Sequence, residues 1–341
     1  MDDATARRKA DHLRVALDED VGHIGITTGL ERLRLNARAL PGRALDEVST
    51  AVTAFGRELA APLLVSCMTG GTSEAGRVNV ALATAAQRHH VAVGLGSGRI
   101  LLEGGDAGSF AVREVAPDVP LLANLGAVQL AEVGVDGCVE LVDRTGADVL
   151  VLHLNPVQEA VQPGGDTDFG GVAERIAEVV AGVGVPVVAK EVGFGLAPAD
   201  VAELLAAGVA GIDVAGAGGT NWATVEGHRD DRAGRVASAF AGWGWSTVES
   251  LRAAVAARTA GRPLTVIASG GLADGVDAVK CLALGADLAG FGRRLLPAAA
   301  EGPEPAAEAL GVLVDQLRIA TWAVGTESVT ELHPSVLREV E

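Results

Sequence analysis

Within seven residues, His153-Leu-Asn-Pro-Val-Gln-Glu159 gathers an imidazole, two amides and a carboxylate around a proline. Such a set can hold an anion, orient a substrate and offer a hard oxygen to a cation. The residues before it, Asp148-Val-Leu-Val-Leu152, form a short apolar run without a helical period, which reads as a buried parallel strand. Pro156 keeps the segment from continuing as regular strand. Taken alone, the stretch also fits a surface turn with solvated side chains.

Other reactive groups fall at comparable places. Lys190 ends the apolar run Val187 to Lys190 and puts a cation where unpaired structural lysines seldom sit. Lys9, Lys190 and Lys280 are the only lysines among 27 basic residues, so each marks a place for a compact ammonium. Lys280, on a helix-like run, is expected at the surface. Met68-Thr69-Gly70-Gly71 offers a hydroxyl and close-approaching backbone, suited to the edge of a planar ring. Ser269-Gly270-Gly271 and Gly292-Arg293 are turns whose backbone N–H groups, with the following helix, suit a phosphate. A lysine beside the pyrimidine end of a flavin favours the anionic reduced form, which connects Lys190 to the ring-edge site. Arg8, Lys9, His12 and Arg99 indicate a second anion site, although Arg8-Lys9 also fits a solvated charge run. Glu159 suits Mg²⁺, which reaches proteins through one or two carboxylates plus substrate phosphates. His89-His90 end an Ala-rich helix and suit its negative terminus better than a metal.

These groups need a common scaffold. From Pro62 to about residue 296, apolar runs alternate with Ala-rich amphipathic stretches. The expected strands are Leu63 to Ser66, Val91 to Leu95, Pro120 to Asn124, Val149 to His153, Val187 to Lys190, Gly211 to Val214, Leu264 to Ala268 and Leu288 to Phe291. The expected helices include Glu74 to His90, Val172 to Ala181, Asp200 to Ala207, Val248 to Arg258 and Val276 to Leu284. This rhythm predicts a single-domain α/β fold, a (β/α)8 barrel, with polar groups after every strand facing one mouth. Residues 1–60 read as an N-terminal arm contributing to binding. Residues 216–245, too long for a simple turn, are expected to form a mobile loop after the sixth strand.

Composition narrows the function. The 341 residues are 49% hydrophobic, with 45 glycines, 13 prolines and no tyrosine, which excludes global disorder and suits many tight turns. A net charge of −17 argues against nucleic acid or an anionic membrane as partner. No apolar stretch reaches membrane-spanning length and the first twenty residues lack a signal core, so a soluble cytoplasmic protein is expected. Three widely spaced cysteines, Cys67, Cys138 and Cys281, read as reduced structural thiols.

With these residues in hand, the chain resembles the type 2, flavin-dependent isopentenyl diphosphate isomerases over nearly its whole length. The resemblance is carried by Arg8-Lys9-Ala10-Asp11-His12, Pro62 to Thr72, Gly96-Ser97-Gly98-Arg99, His153 to Glu159 with Gln162-Pro163, Lys190-Glu191-Val192-Gly193, Gly218-Gly219-Thr220-Asn221-Trp222 and Ser269-Gly270-Gly271. It implies FMN held by Cys67, Met68, Thr69, Ser97, Asn124, Lys190, Thr220, Gly271, Leu272, Ala273, Gly292 and Arg293. It also implies a prenyl diphosphate held by Arg8, Lys9, His12, Arg99, His153 and Asn155, with Mg²⁺ on Glu159 and Gln158 facing the allylic carbons. The implied reaction is a 1,3-proton shift between isopentenyl and dimethylallyl diphosphate, with His153, Gln158 and Lys190 as catalytic groups and NADPH keeping the flavin reduced. A neutral amide such as Gln158 cannot be a strong acid, so its role is relay or positioning. The resemblance further implies a homotetramer or homo-octamer.

Gly98, Ala197 and Arg293-Arg294 depart from the family pattern and are expected to border the phosphate sites, where they bear on substrate size and little on flavin binding. The rival readings are a paralogue for a longer prenyl diphosphate, an FMN-dependent hydroxy acid oxidase or dehydrogenase, and a non-catalytic flavin- or phosphate-binding protein. Hydroxy acid chemistry needs a basic histidine near the flavin and an arginine for a carboxylate. A non-catalytic protein would have lost Gln158 or Glu159, and both are present.

Overall fold

In a computed structural model, which describes residues 3–105, 107–259 and 263–340, eight parallel strands close into a barrel. They are β1 (Leu63–Val65), β2 (Ala92–Gly94), β3 (Leu121–Gly126), β4 (Val149–Leu154), β5 (Val187–Glu191), β6 (Gly211–Asp213), β7 (Thr265–Ala268) and β8 (Leu288–Phe291). Each pairs with its sequence neighbours, and β8 returns to β1. All eight expected strands are present, because Val/Leu-rich runs buried on both faces are the natural content of a parallel sheet.

The helices follow their local signals. Helix α1 (Asp3–Asp18) precedes the barrel and α2 (Ser73–His89) follows β1. Thr72 starts α2 by accepting the Ala75 N–H, and His90 ends it in a left-handed conformation. Then come α3 (Leu130–Thr145), α4 (Pro156–Val161), α5 (Val172–Gly182) and α6 (Pro198–Ala206). Stretch 216–245, expected to be a loop, contains α7 (Trp222–Gly227) and α8 (Asp231–Ala237), with Asn221 and Asp230 as their N-caps. Helix α9 (Thr247–Ala256) starts with a Ser246/Glu249 capping box and α10 (Gly275–Ala283) with Asp274. Helix α11 (Pro303–Ala323) packs outside α2, where Arg88 pairs with Glu304. His89 also reaches outward: its Nε2 meets the Ala307 carbonyl at 2.8 Å, so it serves a neighbouring helix and not the end of its own.

Two apolar layers hold the barrel. The larger lies between strands and helices, and the smaller fills the interior with Leu64, Ala92, Leu122, Val149, Val151, Val188, Ile267 and Leu288. Ala54 and Leu59 join the interior cluster from a hairpin, Val52–Ala54 with Arg57–Leu59, which stoppers the lower end. Its turn, Phe55-Gly56, takes positive φ at both residues, as a two-residue hairpin requires. The arm is anchored elsewhere as well. Leu33–Leu35 pairs antiparallel with Leu337–Glu339, and the Lys280 ammonium donates to the Leu30 carbonyl at 3.0 Å. Lys280 is therefore buried and not on the surface, since it satisfies an arm carbonyl and pairs with Asp277. No helix among the described residues is long and apolar enough to cross a membrane.

Candidate active site

The strand ends open on two adjoining cavities at the upper mouth. The smaller, about 180 Å³, is lined by Arg8, Lys9, His12, Arg99, His153, Asn155, Gln158 and Glu159, so every residue expected at the diphosphate is gathered there. Ser97 and Asn124, expected at the flavin, also line this one. The larger, about 530 Å³, is bounded by Thr220, Gly271, Leu272, Gly292 and Arg293. Cys67, Met68, Thr69 and Lys190 line both, together with His12, Val192 and Trp222. Ala273 lines neither, because its N–H is taken by Asp277. Cys67 is thus more than a structural thiol; burial pushes it up to about 12, so it stays protonated.

Side chains from α1, the turn after β2, the end of β4 and α4 with its N-cap assemble the smaller cavity. Helix α1 delivers Arg8 and His12 one turn apart on one face, with Lys9 adjoining them. Lys9 donates to the Ser97 carbonyl at 2.9 Å and lies 5.7 Å from the Phe110 ring centre; burial, with Arg8 beside it, lowers it to about 8. Arg99 is held by Glu103 and Asp166, each at 2.7 Å, so an incoming anion has to compete with two carboxylates. His153 Nδ1 lies 2.7 Å from Asn124 Oδ1. Burial, with Lys190 and Lys9 nearby, lowers this imidazole to about 4, leaving it neutral at pH 7 with its proton on Nδ1.

The polar residues of α4 form one network. Asn155 Nδ2 donates to Gln158 Oε1 at 3.2 Å and to Glu159 Oε1 at 2.9 Å. The other Glu159 oxygen accepts the Asp166 N–H at 2.8 Å. Gln158 Nε2 donates to Glu226 Oε1 at 3.2 Å, which fixes which end of the amide faces which neighbour. Glu226, on α7, is fully buried and takes His12 Nε2 at 2.7 Å and Arg229 Nη1 at 2.6 Å. Burial pushes its carboxyl up, but His12, Gln158 and Arg229 outweigh that and hold it below the usual range. With its amide oriented to satisfy both neighbours, Gln162 donates to the same Glu226 oxygen at 3.1 Å and accepts from Arg8 at 2.9 Å.

The larger cavity is built mainly from backbone. The turns after β6 and β7 meet glycine to glycine: a Cβ on Gly219 would stand 2.4 Å from the Gly271 nitrogen. These glycines are therefore needed for turn-on-turn packing as well as for access to a ligand. Arg293, expected at a phosphate through its turn, sends its guanidinium to the carbonyls of Ala16 and Glu19 at 2.8 and 2.6 Å, which fastens the end of α1 to the β8 turn. The hydroxyl of Ser269 likewise turns away from the phosphate turn and donates to Asp213 at 2.5 Å. Asp213 in turn stands 3.2 Å from Lys190.

Glu191 faces the other way from Lys190 and accepts the N–H groups of Val192, Gly193, Phe194 and Gly195 at 2.5 to 3.1 Å. Burial pushes it up to about 7 against these donors. A Cβ on Gly193 would stand 2.4 Å from the Thr220 carbonyl and Gly195 donates to the Ala215 carbonyl, so this carboxylate shapes the loop that supports the β6 turn.

Glu226, Asp213, Asp166 and Glu191 are the site groups that sequence reasoning did not assign. The departures read as bordering the phosphate sites are placed differently. The missing side chain of Gly98 points at Leu141 in the helix layer, and Ala197 caps α6; neither lines a cavity. Arg294 does line the larger cavity, with its Nε on the Ala273 carbonyl.

A closed parallel barrel with two adjoining cavities at its strand ends has the frame of a barrel enzyme. Residues 161–339 match the FMN-dependent dehydrogenase family model. The fold is shared with a solved mandelate oxidase carrying an FMN adduct (TM-score 0.66, 24% identity, 97% of this chain and 99% of that one). It is also shared with a flavocytochrome b2 with sulfite bound (TM-score 0.69, 19% identity, 96% of this chain and 82% of that one). More specifically, the chain belongs to the isopentenyl-diphosphate delta-isomerase family. It is 47% identical to a member from Synechococcus sp. (97% of this chain, 96% of the relative). Identity to a member from Nostoc sp. is 44%, over 97% and 95% of the two chains.

Proposed function

We infer that the protein interconverts isopentenyl and dimethylallyl diphosphate, with FMN in the larger cavity and the diphosphate in the smaller. The observation that carries this reading is the shared wall: Met68, Thr69, Lys190 and Trp222 line both cavities, so a ring in one faces a substrate in the other. The larger cavity fits a flavin. Its volume lies within the range of about 300–1,000 Å³ usual for cofactor sites, and at Gly292 an added Cβ would meet nothing nearer than Met68 Sδ at 3.5 Å. Reduced flavin supplies an electron-rich face against which positive charge on a protonated alkene is stabilised.

The chain's own residues then have separate tasks. Arg8, Lys9 and Arg99 bring positive charge to the diphosphate. His153, neutral when free, takes up a proton as the anion arrives, because an opposite charge favours the cationic ring. Glu159 fits Mg²⁺ as the single protein carboxylate, and Asn155 Oδ1, buried and without a hydrogen bond, is a second hard oxygen beside it. No cluster of three or more metal-binding side chains occurs among the described residues, in keeping with a metal held largely by substrate phosphates. Gln158 is positioned by Glu226 to relay or orient, and Trp222 screens the allylic carbons from water. The small volume of the substrate cavity supports a five-carbon chain over a longer prenyl group.

NADPH as the reductant, and assembly of identical chains into a tetramer or octamer, complete the reading. Exposed Ile24, Trp243 and Trp245 support such assembly. The test is anaerobic turnover of isopentenyl diphosphate in deuterated water with FMN, Mg²⁺ and NADPH. Deuterium should enter dimethylallyl diphosphate only when the flavin is reduced. Bound FMN without label would sink the reading, and turnover of a longer prenyl diphosphate in its place would transfer it to that substrate.

A further inference from the structure

We propose that Asp213 is a positioning residue that sets the reduction potential of the bound flavin through Lys190. The proposal rests on the flavin reading and adds a residue that touches neither cavity.

Register places the groups. His153 on β4 is paired with Lys190 on β5, and Lys190 with Asp213 on β6, so the three lie in one row across the sheet. Lys190 reaches the wall shared by both cavities, whereas Asp213 stays behind it with 2% of its surface exposed. One carboxylate oxygen of Asp213 stands 3.2 Å from the ammonium, and the other accepts the Ser269 hydroxyl at 2.5 Å. Glu191, the next carboxylate along β5, is turned to the opposite side and occupied by four backbone N–H groups. His153 completes the row. Within the Lys190–Asp213 pair the ammonium stands at the cavity wall and the carboxylate lies buried behind it.

That ordering has an electrostatic consequence. A lone ammonium would favour an anionic reduced flavin by its full charge in a low-dielectric setting, and a carboxylate directly behind it offsets part of that pull. Asp213 also fixes where the ammonium stands, since a lysine stem has several rotatable bonds and its charge follows its partner. Ser269 acts in the opposite sense: its hydroxyl draws on the Asp213 charge and weakens the offset.

The experiment measures the two-electron midpoint potential of bound FMN by anaerobic reduction against a reference dye, after FMN binding is confirmed by titration. Asp213→Asn should bind FMN and raise the potential by about 30 mV, a tenfold gain in affinity for reduced over oxidised flavin. Ser269→Ala should lower it by about 10 mV, roughly a twofold loss in the same ratio. A merely structural ion pair would change stability and FMN occupancy without these opposite shifts. An unchanged or lowered potential in Asp213→Asn overturns the proposal. If that variant does not fold, an unchanged or raised potential in Ser269→Ala overturns it. Failure of the unaltered protein to bind FMN would overturn the flavin reading itself.

Discussion

The two cavities are made by different means. The smaller is a set of long side chains that hold one another: Arg99 with Glu103 and Asp166, His12 with Glu226, Asn155 with Glu159. The larger is mostly main chain, with the turns at Gly218-Gly219 and Gly270-Gly271 pressed together. A side-chain site tolerates loss of one member by degrees, because its neighbours keep part of the field. A backbone site fails when a single atom is added where two chains touch.

The largest effect should therefore come from the smallest change. Gly219→Ala adds one carbon 2.4 Å from the Gly271 nitrogen, inside any real contact distance, and must separate the two turns. Overpacking of this kind costs about 3 kcal/mol at the upper end of its usual range, so FMN affinity should fall roughly 100-fold, as read by fluorescence titration. Unchanged affinity would show that the turns do not shape the flavin site. On the other side, Glu159→Gln keeps the shape and removes the charge. Loss of a charged interaction of about 1.5–3 kcal/mol predicts a 10- to 100-fold fall in kcat/KM. Raised Mg²⁺ should recover part of it, and FMN affinity should be unaltered. A Mg²⁺-independent defect would remove the metal from Glu159.

Two smaller, pH-dependent effects sharpen the same contrast. Lys9 is lowered to about 8, so its charge fades as pH rises through that value; KM for the diphosphate should climb a few-fold between pH 7 and 9, and less in Lys9→Arg. His153 is lowered to about 4 from an ordinary 6.5. Between these values the unfolded chain binds a proton that the folded one does not, so stability falls as pH drops from 6.5 toward 4. The ring is partly open to the cavity, which discounts the cost to about 1–2 kcal/mol between pH 7 and 5. Denaturant melts at the two pH values should show it, and His153→Gln should abolish it. Saturating diphosphate should shrink it as well, by giving the charged ring a partner.

Much of this was legible beforehand. Apolar runs ending abruptly in His153, Lys190 or Asn124 mark barrel strands and their mouths together, because a parallel strand is apolar until it leaves the core. Glu226 was not legible, since stretch 216–245 read as a loop; the signal available was Asn221 and Asp230, each three residues ahead of the N–H it caps. Asp213 falls inside the expected strand Gly211 to Val214, and only the structure places it at the strand's end beside Lys190. What no local pattern carries is partnership across the barrel. Arg293 reads as a phosphate residue until its guanidinium is seen on the carbonyls of Ala16 and Glu19.

The pairing of Leu33–Leu35 with Leu337–Glu339, together with the clasp from Lys280 to Leu30, joins segments far apart along the chain. The barrel strands can accumulate in order as the chain emerges, but the arm bearing Arg8, Lys9 and His12 has no finished dock until the last of them is translated. A nascent chain should therefore gain most of its strands before its anion-binding groups reach their places. A chain lacking β8 would keep most of the strands and lose Arg293, which fastens the end of α1 where these groups meet.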